Sequence, residues 1–208
     1  MMRWLVGCGV LCLCGLVQAG EFNEVLKIGR PAPAWKDLPG TDGKMHSLAD
    51  LKEKAAVVVV FTCNSCPVAE AYEDRLIAFA KQYAGPEGKA ALVAINVNKV
   101  EEDKLPKMTE KAKAKGFTFP YLYDDTQKIA KAYGANFTPE FFVLDQDRNV
   151  VYMGRMDDNS EPKEVKVKYV DEAVQAALKG EKPKTTETLG FGCRIRFARE
   201  KRKPAAGK

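Results

Sequence analysis

The sequence predicts an α/β fold with a central mixed sheet flanked by helices. Two observations lead to this prediction: continuous β-branched runs that fit strands buried on both faces, and intervening stretches whose apolar residues recur at helical spacing. The two patterns alternate along a chain of 208 residues, which is long enough for one domain with a sizeable core. We therefore expect a single layered domain.

The clearest pattern lies in the first half of the chain. Ala55 to Phe61 and Ala90 to Asn96 are the two buried-strand runs, and the apolar spacing from Pro67 to Tyr83 predicts a helix between them. Gly85 and Pro86 end that helix. Because a right-handed crossover brings the chain back in the same direction, we expect the two strands to be parallel.

The second half of the chain predicts shorter elements that would complete the same sheet. A loop of Asp and Asn residues between two short apolar segments is typical of an antiparallel hairpin. The predicted elements are helices over residues 101–115, 126–133 and 167–178, and a hairpin of Phe141 to Leu144 with Val150 to Met153.

The N-terminus has the layout of a secretory signal. A short cationic start with Arg3 precedes an apolar run from Trp4 to Val17, and Ala19 supplies a small-residue cleavage site before Gly20. The apolar run is shorter than the ~20 residues of a membrane span. We expect an exported protein, periplasmic or secreted, that has no stable membrane insertion once residues 1–19 are removed.

The rest of the chain divides into two parts. Residues 20–180 form the predicted domain, and residues 181–208 form a C-terminal extension with a basic disordered tail. The formal net charge of +5 does not identify a partner. A terminal run of Lys and Arg is usually a solvated tail, and export argues against nucleic acid as a partner.

Cleavage would leave Cys63, Cys66 and Cys193 of the six cysteines. The sequence Cys63-Asn64-Ser65-Cys66-Pro67 lies where a buried strand ends and a helix begins. Disulfide exchange needs a thiolate, and the free N–H groups at a helix N-terminus stabilise that anion. We predict that Cys63 is the attacking thiol and Cys66 the resolving thiol.

Other readings of this motif are weaker. A structural zinc site normally needs four ligands, and zinc would require every remaining cysteine together with His46, the single histidine. We expect no metal site and no cofactor. A purely structural Cys63–Cys66 disulfide would close a very short loop, which gives little entropic stabilisation.

The motifs together resemble the thioredoxin-like superfamily, and within it the peroxiredoxin-like redoxins of the AhpC/TSA type. The similarity covers about Val25 to Asp158 and the segment ending at Cys193. The segments that carry the resemblance are Gly29 to Trp35, Phe61 to Pro67, Tyr72 to Leu76, Phe119 to Asp124, Tyr133 to Pro139, and Leu189 to Cys193.

The resemblance implies a thioredoxin-like three-layer fold and a thiol-disulfide oxidoreductase. By the same resemblance, Cys63 of this sequence would be the nucleophile and Cys66 its partner. Pro139 would be a cis-proline, and its loop with Thr138 would bind a substrate chain in extended form. The implied partners are protein thiols or disulfides, with an unidentified redox partner.

Two further functions remain open. The first is an antioxidant thiol peroxidase acting on peroxides, because Cys66-Pro67 followed by Glu70 matches part of a peroxidatic motif. The Pro-x-x-x-Thr-x-x-Cys pattern of such enzymes is absent, since Thr62 is out of register. The second is a non-catalytic binding module, which would not need both Cys63 and Cys66.

For the remaining candidate residues we expect structural roles more than catalytic ones. Cys193 could be an additional resolving thiol or a site for mixed disulfides, but we favour an unpaired, packed cysteine, because nothing in the sequence brings it near Cys63. We expect a salt bridge from Arg155 to Asp157 or Asp158. His46 is expected at a surface or an edge.

Overall fold

The computed structural model describes residues 20–85 and 87–198. The predicted signal, residues 1–19, and the basic stretch 199–208 lie outside the described residues. Five strands form the central sheet, in the order β5-β4-β3-β7-β8. These strands are β3 (Ala56–Phe61), β4 (Ala90–Asn96), β5 (Tyr121–Tyr123), β7 (Glu140–Leu144) and β8 (Val150–Gly154).

The remaining elements flank this sheet. Among residues 20–85 and 87–198, four helices cover its faces and two small two-stranded sheets lie outside it. The helices are α1 (Pro67–Tyr83), α2 (Leu105–Lys115), α3 (Lys128–Tyr133) and α4 (Tyr169–Lys179); the outer strands are β1 (Leu38–Pro39), β2 (Met45–His46), β6 (Phe137–Thr138) and β9 (Cys193–Arg194).

The predicted mixed sheet is confirmed. β3 runs parallel to β4, with Val59 opposite Val93, and antiparallel to β7. β7 and β8 form the expected antiparallel hairpin. Every residue of β3 and β4 is buried, as continuous apolar runs require of strands covered on both faces.

Two apolar clusters lie on opposite faces of the sheet and create three layers. On one face Val58 and Val60 of β3 pack with residues of α1 and α4. On the other face Val57, Val59 and Phe61 pack with α3 and the N-terminal lead. This alternation follows the two-residue period of a strand, so each face of β3 contributes to one half of the core.

Element boundaries agree closely where the pattern is long. α1 begins at Pro67 and ends at Tyr83, as predicted. The predicted helix over 101–115 is divided, because Glu101–Asp103 forms a short 3₁₀ turn and α2 begins only at Leu105. In the described residues 20–85 and 87–198, no helix has the length and apolarity to cross a membrane.

The described part of the C-terminal extension packs on the domain. Residues 181–198 pack along the domain, and Ile195 is buried in the core beneath β3 and α3. β9 pairs antiparallel with β6, so this segment reaches the loop before Pro139. The C-terminal segment therefore brings its cysteine to the end of the sheet where β3 delivers Cys63 and Cys66.

Candidate functional site

The site begins where β3 meets α1. Cys66 is the N-cap of α1, and the Ala69 N–H donates to Cys66 Sγ at 3.3 Å. Pro67 occupies the first helical position, where its missing N–H costs nothing. The favourable amide contact of the helix start is therefore made to Cys66.

Cys63 is a buried free thiol. Its Sγ lies 3.5 Å from Thr138 Oγ1 and 3.9 Å from Ser65 Oγ. Burial raises the pKa of the Cys63 thiol, and the negative charge of Asp103 adds to that rise, whereas hydrogen bonds from Thr138 and Ser65 oppose it. In this form Cys63 is a protected thiol, and its role as the attacking thiol stays a prediction.

The structure pairs Cys66 with Cys193. The two form a disulfide with their Cα atoms 6.0 Å apart, across 127 residues of sequence. The expectation that Cys193 is an unpaired, packed cysteine was wrong, because the pairing of β9 with β6 carries it to the start of α1. Cys63, Cys66 and Ala69 form one buried cluster, and Cys193 packs against it.

Thr138 contacts both Cys63 and Cys66 of this cluster. Its carbonyl O lies 3.1 Å from Cys66 Sγ, while its hydroxyl faces Cys63. The Thr138–Pro139 peptide bond is cis, as the family resemblance implied. Thr138 is also the residue opposite Cys193 in the β6–β9 pair. The predicted site residues Cys63, Cys66, Thr138 and Pro139 are thus brought together, and Cys193 joins them.

Asp103 is the functional residue that the sequence reasoning missed. It is fully buried in the 3₁₀ turn before α2. Its Oδ1 accepts the N–H groups of Asn64 at 2.6 Å and Ser65 at 3.0 Å, and its Oδ2 accepts the Ser65 hydroxyl at 2.6 Å. This one carboxylate fixes the two residues between Cys63 and Cys66.

The amides of the β4 end hold that carboxylate in place. Asn96 Nδ2 donates to Asp103 Oδ1 at 3.3 Å, and Asn98 Nδ2 donates to Oδ2 at 3.1 Å. Polar residues at the carboxyl end of a buried parallel strand often mark a site. Asn96 and Asn98 were therefore the sequence signal that could have led to Asp103.

An ion-pair cluster around the buried Glu73 joins α1 to α2 beside the cysteine loop. The Glu73 carboxylate lies 2.7 Å from Lys111 Nζ and 2.9 Å from Lys115 Nζ. Lys111 Nζ also donates to the Asn64 carbonyl at 3.4 Å. The cluster fixes the position of α2, and with it Asp103, relative to the cysteine motif.

Glu140 supports the loop that leads to Pro139 through two backbone hydrogen bonds. Its Oε2 accepts the N–H groups of Asn136 at 2.7 Å and Phe137 at 2.9 Å. Burial raises the pKa of the Glu140 carboxyl, and these two hydrogen bonds only partly oppose the shift. The carboxyl group thereby shapes the turn that leads into Thr138.

The other candidate residues have structural roles. Arg155 does not pair with Asp157 or Asp158, which corrects the predicted salt bridge. Its Nε donates to the Leu189 carbonyl, and Arg75 pairs with Asp157 at 2.7 Å. His46 lies on the outer strand β2, and its Nε2 is 3.0 Å from Asp42 Oδ1. Within residues 20–85 and 87–198 no three His, Cys, Asp or Glu side chains are grouped to hold a metal.

The chain is similar in sequence and fold to known proteins of the redoxin class. Residues 28–153 match the model of the AhpC/TSA family. The solved structure of a hypothetical protein from Sinorhizobium meliloti is 37% identical in sequence, with a TM-score of 0.76 over 83% of this chain and 96% of that protein.

Two further relatives carry functional names. A Chlorobium tepidum thiol:disulfide interchange protein is 25% identical, with a TM-score of 0.57 over 73% of this chain and 98% of its own. A Mycobacterium tuberculosis protein that is provisionally named a peroxiredoxin is 27% identical over 135 residues, which cover 59% of this chain and 81% of that protein.

Proposed function

Because the chain belongs to the AhpC/TSA family of redoxins in the thioredoxin superfamily, we propose that it is an exported thiol-disulfide oxidoreductase that acts through Cys63 and Cys66. The observation that carries the proposal is a disulfide beside a free thiol in one buried cluster, with both Cys63 and Cys66 in contact with Thr138. A thiol next to a disulfide is the arrangement from which exchange proceeds.

The proposed cycle uses both cysteines of the motif. In the reduced protein the Cys63 thiolate attacks a substrate disulfide, forms a mixed disulfide and expels one substrate thiolate. Cys66 then attacks Cys63 Sγ, which expels the second substrate thiolate and leaves a Cys63–Cys66 disulfide. The Ala69 N–H stabilises negative charge on Cys66 while it attacks.

Thr138 and Pro139 are proposed to receive the substrate chain. The backbone of the short strand β6 ends beside both sulfurs. An extended polypeptide laid along that edge would place its own cysteine next to Cys63. Protein thiols and disulfides are accordingly the proposed partners.

Export is the second part of the proposal. The signal-like composition of residues 1–19 supports it, as does a disulfide in the mature chain, because disulfides persist in oxidising compartments. N-terminal sequencing of the mature protein tests this part directly. A start at Gly20 is expected, and a retained Met1 would count against export.

The decisive test is the reduction potential of the Cys63–Cys66 couple. Because Cys66 also pairs with Cys193, the couple is measured in Cys193→Ser by equilibration with glutathione or dithiothreitol buffers. A reversible two-electron couple is expected, together with reduction of insulin disulfides. Both should be lost when Cys63→Ser is added to that variant.

The same preparations decide against the peroxidase alternative. The match of Cys66, Pro67 and Glu70 to part of a peroxidatic motif motivates that alternative. Hydrogen peroxide is added to each reduced variant and its consumption followed. Rapid peroxide consumption without a reversible couple would replace the oxidoreductase with a thiol peroxidase.

A further inference from the structure

We propose that Cys193 is a third redox thiol of this centre, which competes with Cys63 for the Cys66 sulfur and closes the substrate edge when it is bonded. The inference rests on the proposed function, since it concerns the same sulfurs. Three features of the structure support it: the shared sulfur of Cys66, the strand pairing of Cys193, and the close approach of Gly192.

Cys66 is the sulfur common to both disulfides. It is bonded to Cys193, and it shares a buried cluster with the free thiol Cys63. Thr138 contacts Cys63 through its hydroxyl and Cys66 through its carbonyl O. The thiol that must attack and the sulfur that it must reach are thus held against one residue.

The strand pairing places Cys193 where a substrate cysteine would lie. β9 pairs antiparallel with β6, with Cys193 opposite Thr138 and Arg194 opposite Phe137. This is the backbone edge next to Pro139 that we assign to the extended substrate. The C-terminal segment therefore occupies the substrate edge with its own cysteine bonded to the centre.

Gly192 makes this approach feasible. Its φ is +147°, and a Cβ at this position would lie almost on the Thr138 carbonyl. Only glycine allows the chain to pass so close to Thr138. A side chain at residue 192 would push Cys193 away from Cys66 without altering any sulfur.

Anchors on both sides return the segment to this edge after it is released. Before Cys193, the Glu187 carboxylate accepts the N–H groups of Glu21, Phe22 and Asn23. After it, Ala198 N–H donates to Gln127 Oε1 at 2.7 Å. Between them Ile195 is buried in the core, whereas Leu189 and Phe191 are exposed, so residues 189–193 can shift while the anchors on both sides stay bound.

The exchange needs no external oxidant or reductant. Cys63 loses its proton to solvent and its thiolate attacks Cys66 Sγ; the Cys63–Cys66 bond forms, the Cys66–Cys193 bond breaks, and the Cys193 thiolate takes up a proton. The Cys63 sulfur is oxidised from thiol to disulfide and the Cys193 sulfur is reduced from disulfide to thiol, so the protein as a whole keeps one disulfide. In the reverse direction Cys193 restores Cys63 to the thiol form.

The two states differ in what they allow. With Cys66 bonded to Cys193, the substrate edge is covered and Cys63 is buried with a raised pKa. With Cys66 bonded to Cys63, the Cys193 thiol is released and β6 is free to receive a chain. The relay therefore separates a closed oxidised form from an open oxidised form of the same protein.

The test is disulfide mapping of the full-length mature protein. The protein is fully reduced, oxidised with oxidised glutathione, quenched in acid, alkylated, digested and examined by mass spectrometry. The wild type is expected to give both Cys66–Cys193 with alkylated Cys63 and Cys63–Cys66 with alkylated Cys193. Cys193→Ser should give only Cys63–Cys66, and Cys63→Ser only Cys66–Cys193.

A variant that keeps all three sulfurs separates exchange from simple loss of a cysteine. Gly192→Ala should deplete the Cys66–Cys193 form and enrich Cys63–Cys66. Gly85→Ala is the matched control, because a Cβ at residue 85 meets no atom within 4 Å, and it should leave the distribution as in the wild type.

The outcomes separate this inference from the proposed function. If Cys193 is always recovered as a free thiol while Cys193→Ser still reduces insulin, the relay is overturned and the oxidoreductase stands. If the Cys66–Cys193 disulfide forms but never yields Cys63–Cys66, it is a fixed staple and the relay is likewise overturned. Loss of the proposed function instead shows as a Cys193→Ser protein without any reversible couple.

Discussion

Asp103 holds Ser65 through two hydrogen bonds, from the Ser65 N–H to Oδ1 at 3.0 Å and from the Ser65 hydroxyl to Oδ2 at 2.6 Å. The contact has two opposing effects on the site. It orders the loop between Cys63 and Cys66, and it places a negative charge where it raises the pKa of the Cys63 thiol. The protein thus gains a fixed loop geometry at the cost of thiolate formation.

Asp103→Asn should separate these two effects. Asparagine keeps one acceptor for the backbone N–H groups but removes the charge, so the pKa of Cys63 is expected to fall and its thiolate to form at lower pH. The new amide N–H₂ faces Asn98 Nδ2 and the Ser65 hydroxyl, and both donors lose their acceptor. We expect a loss of about 1–3 kcal/mol in the free energy of unfolding.

The pH profile of Cys63 alkylation in the Cys66–Cys193 form measures the first effect, and urea unfolding measures the second. Glu102→Gln is the matched control, because it removes one charge from an exposed neighbour in the same turn. A folded Asp103→Asn protein with an unchanged alkylation profile would show that the charge of Asp103 does not govern Cys63.

The long elements of the fold could be predicted from sequence because their signals are local. β3, β4 and α1 each repeat one pattern over six or more residues, and their bounds agree with prediction to within a residue. β5 was missed, since three residues do not establish a period. β6 and β9 have two residues each, and they form because the C-terminal segment returns to the loop before Pro139.

The same distinction explains what was found of the site. Cys63 and Cys66 lie within one motif, so their placement at a strand-to-helix junction could be read locally. The Cys66–Cys193 disulfide spans 127 residues and depends on the path of the whole C-terminal segment. Asp103 follows two exposed acidic residues, and nothing local distinguishes the one that turns inward.

The raised pKa of Glu140 should make the stability of the protein depend on pH. Because burial raises the pKa of Glu140 in the folded protein, the folded state holds its proton to higher pH than the unfolded state does. The unfolded state then binds fewer protons between the two pKa values, so this group's contribution to stability falls as pH rises through that window. Glu140→Gln keeps an acceptor for Asn136 and Phe137 and removes the buried charge.

We expect Glu140→Gln to lessen the loss of stability between mildly acidic and neutral pH. Urea unfolding of the variant and the wild type across that range measures the difference. Glu172→Gln on the exposed face of α4 is the control and should leave the wild-type slope unchanged. An equally steep slope in Glu140→Gln would mean that other groups cause it.

Thr138 affects the pKa of the Cys63 thiol in the opposite direction to Asp103. Its hydroxyl lies 3.5 Å from Cys63 Sγ, and this hydrogen bond lowers the thiol pKa against the larger effect of burial. Thr138→Val has nearly the same shape but no O–H, so the pKa of Cys63 should rise further and alkylation at neutral pH should slow. Thr138→Ser keeps the hydroxyl and should retain a profile close to that of the wild type. Thr138→Val loses the hydroxyl, whereas Thr138→Ser loses only the methyl group. If both variants shifted the alkylation profile equally, packing around Cys63 and not the hydrogen bond would set the reactivity of this thiol.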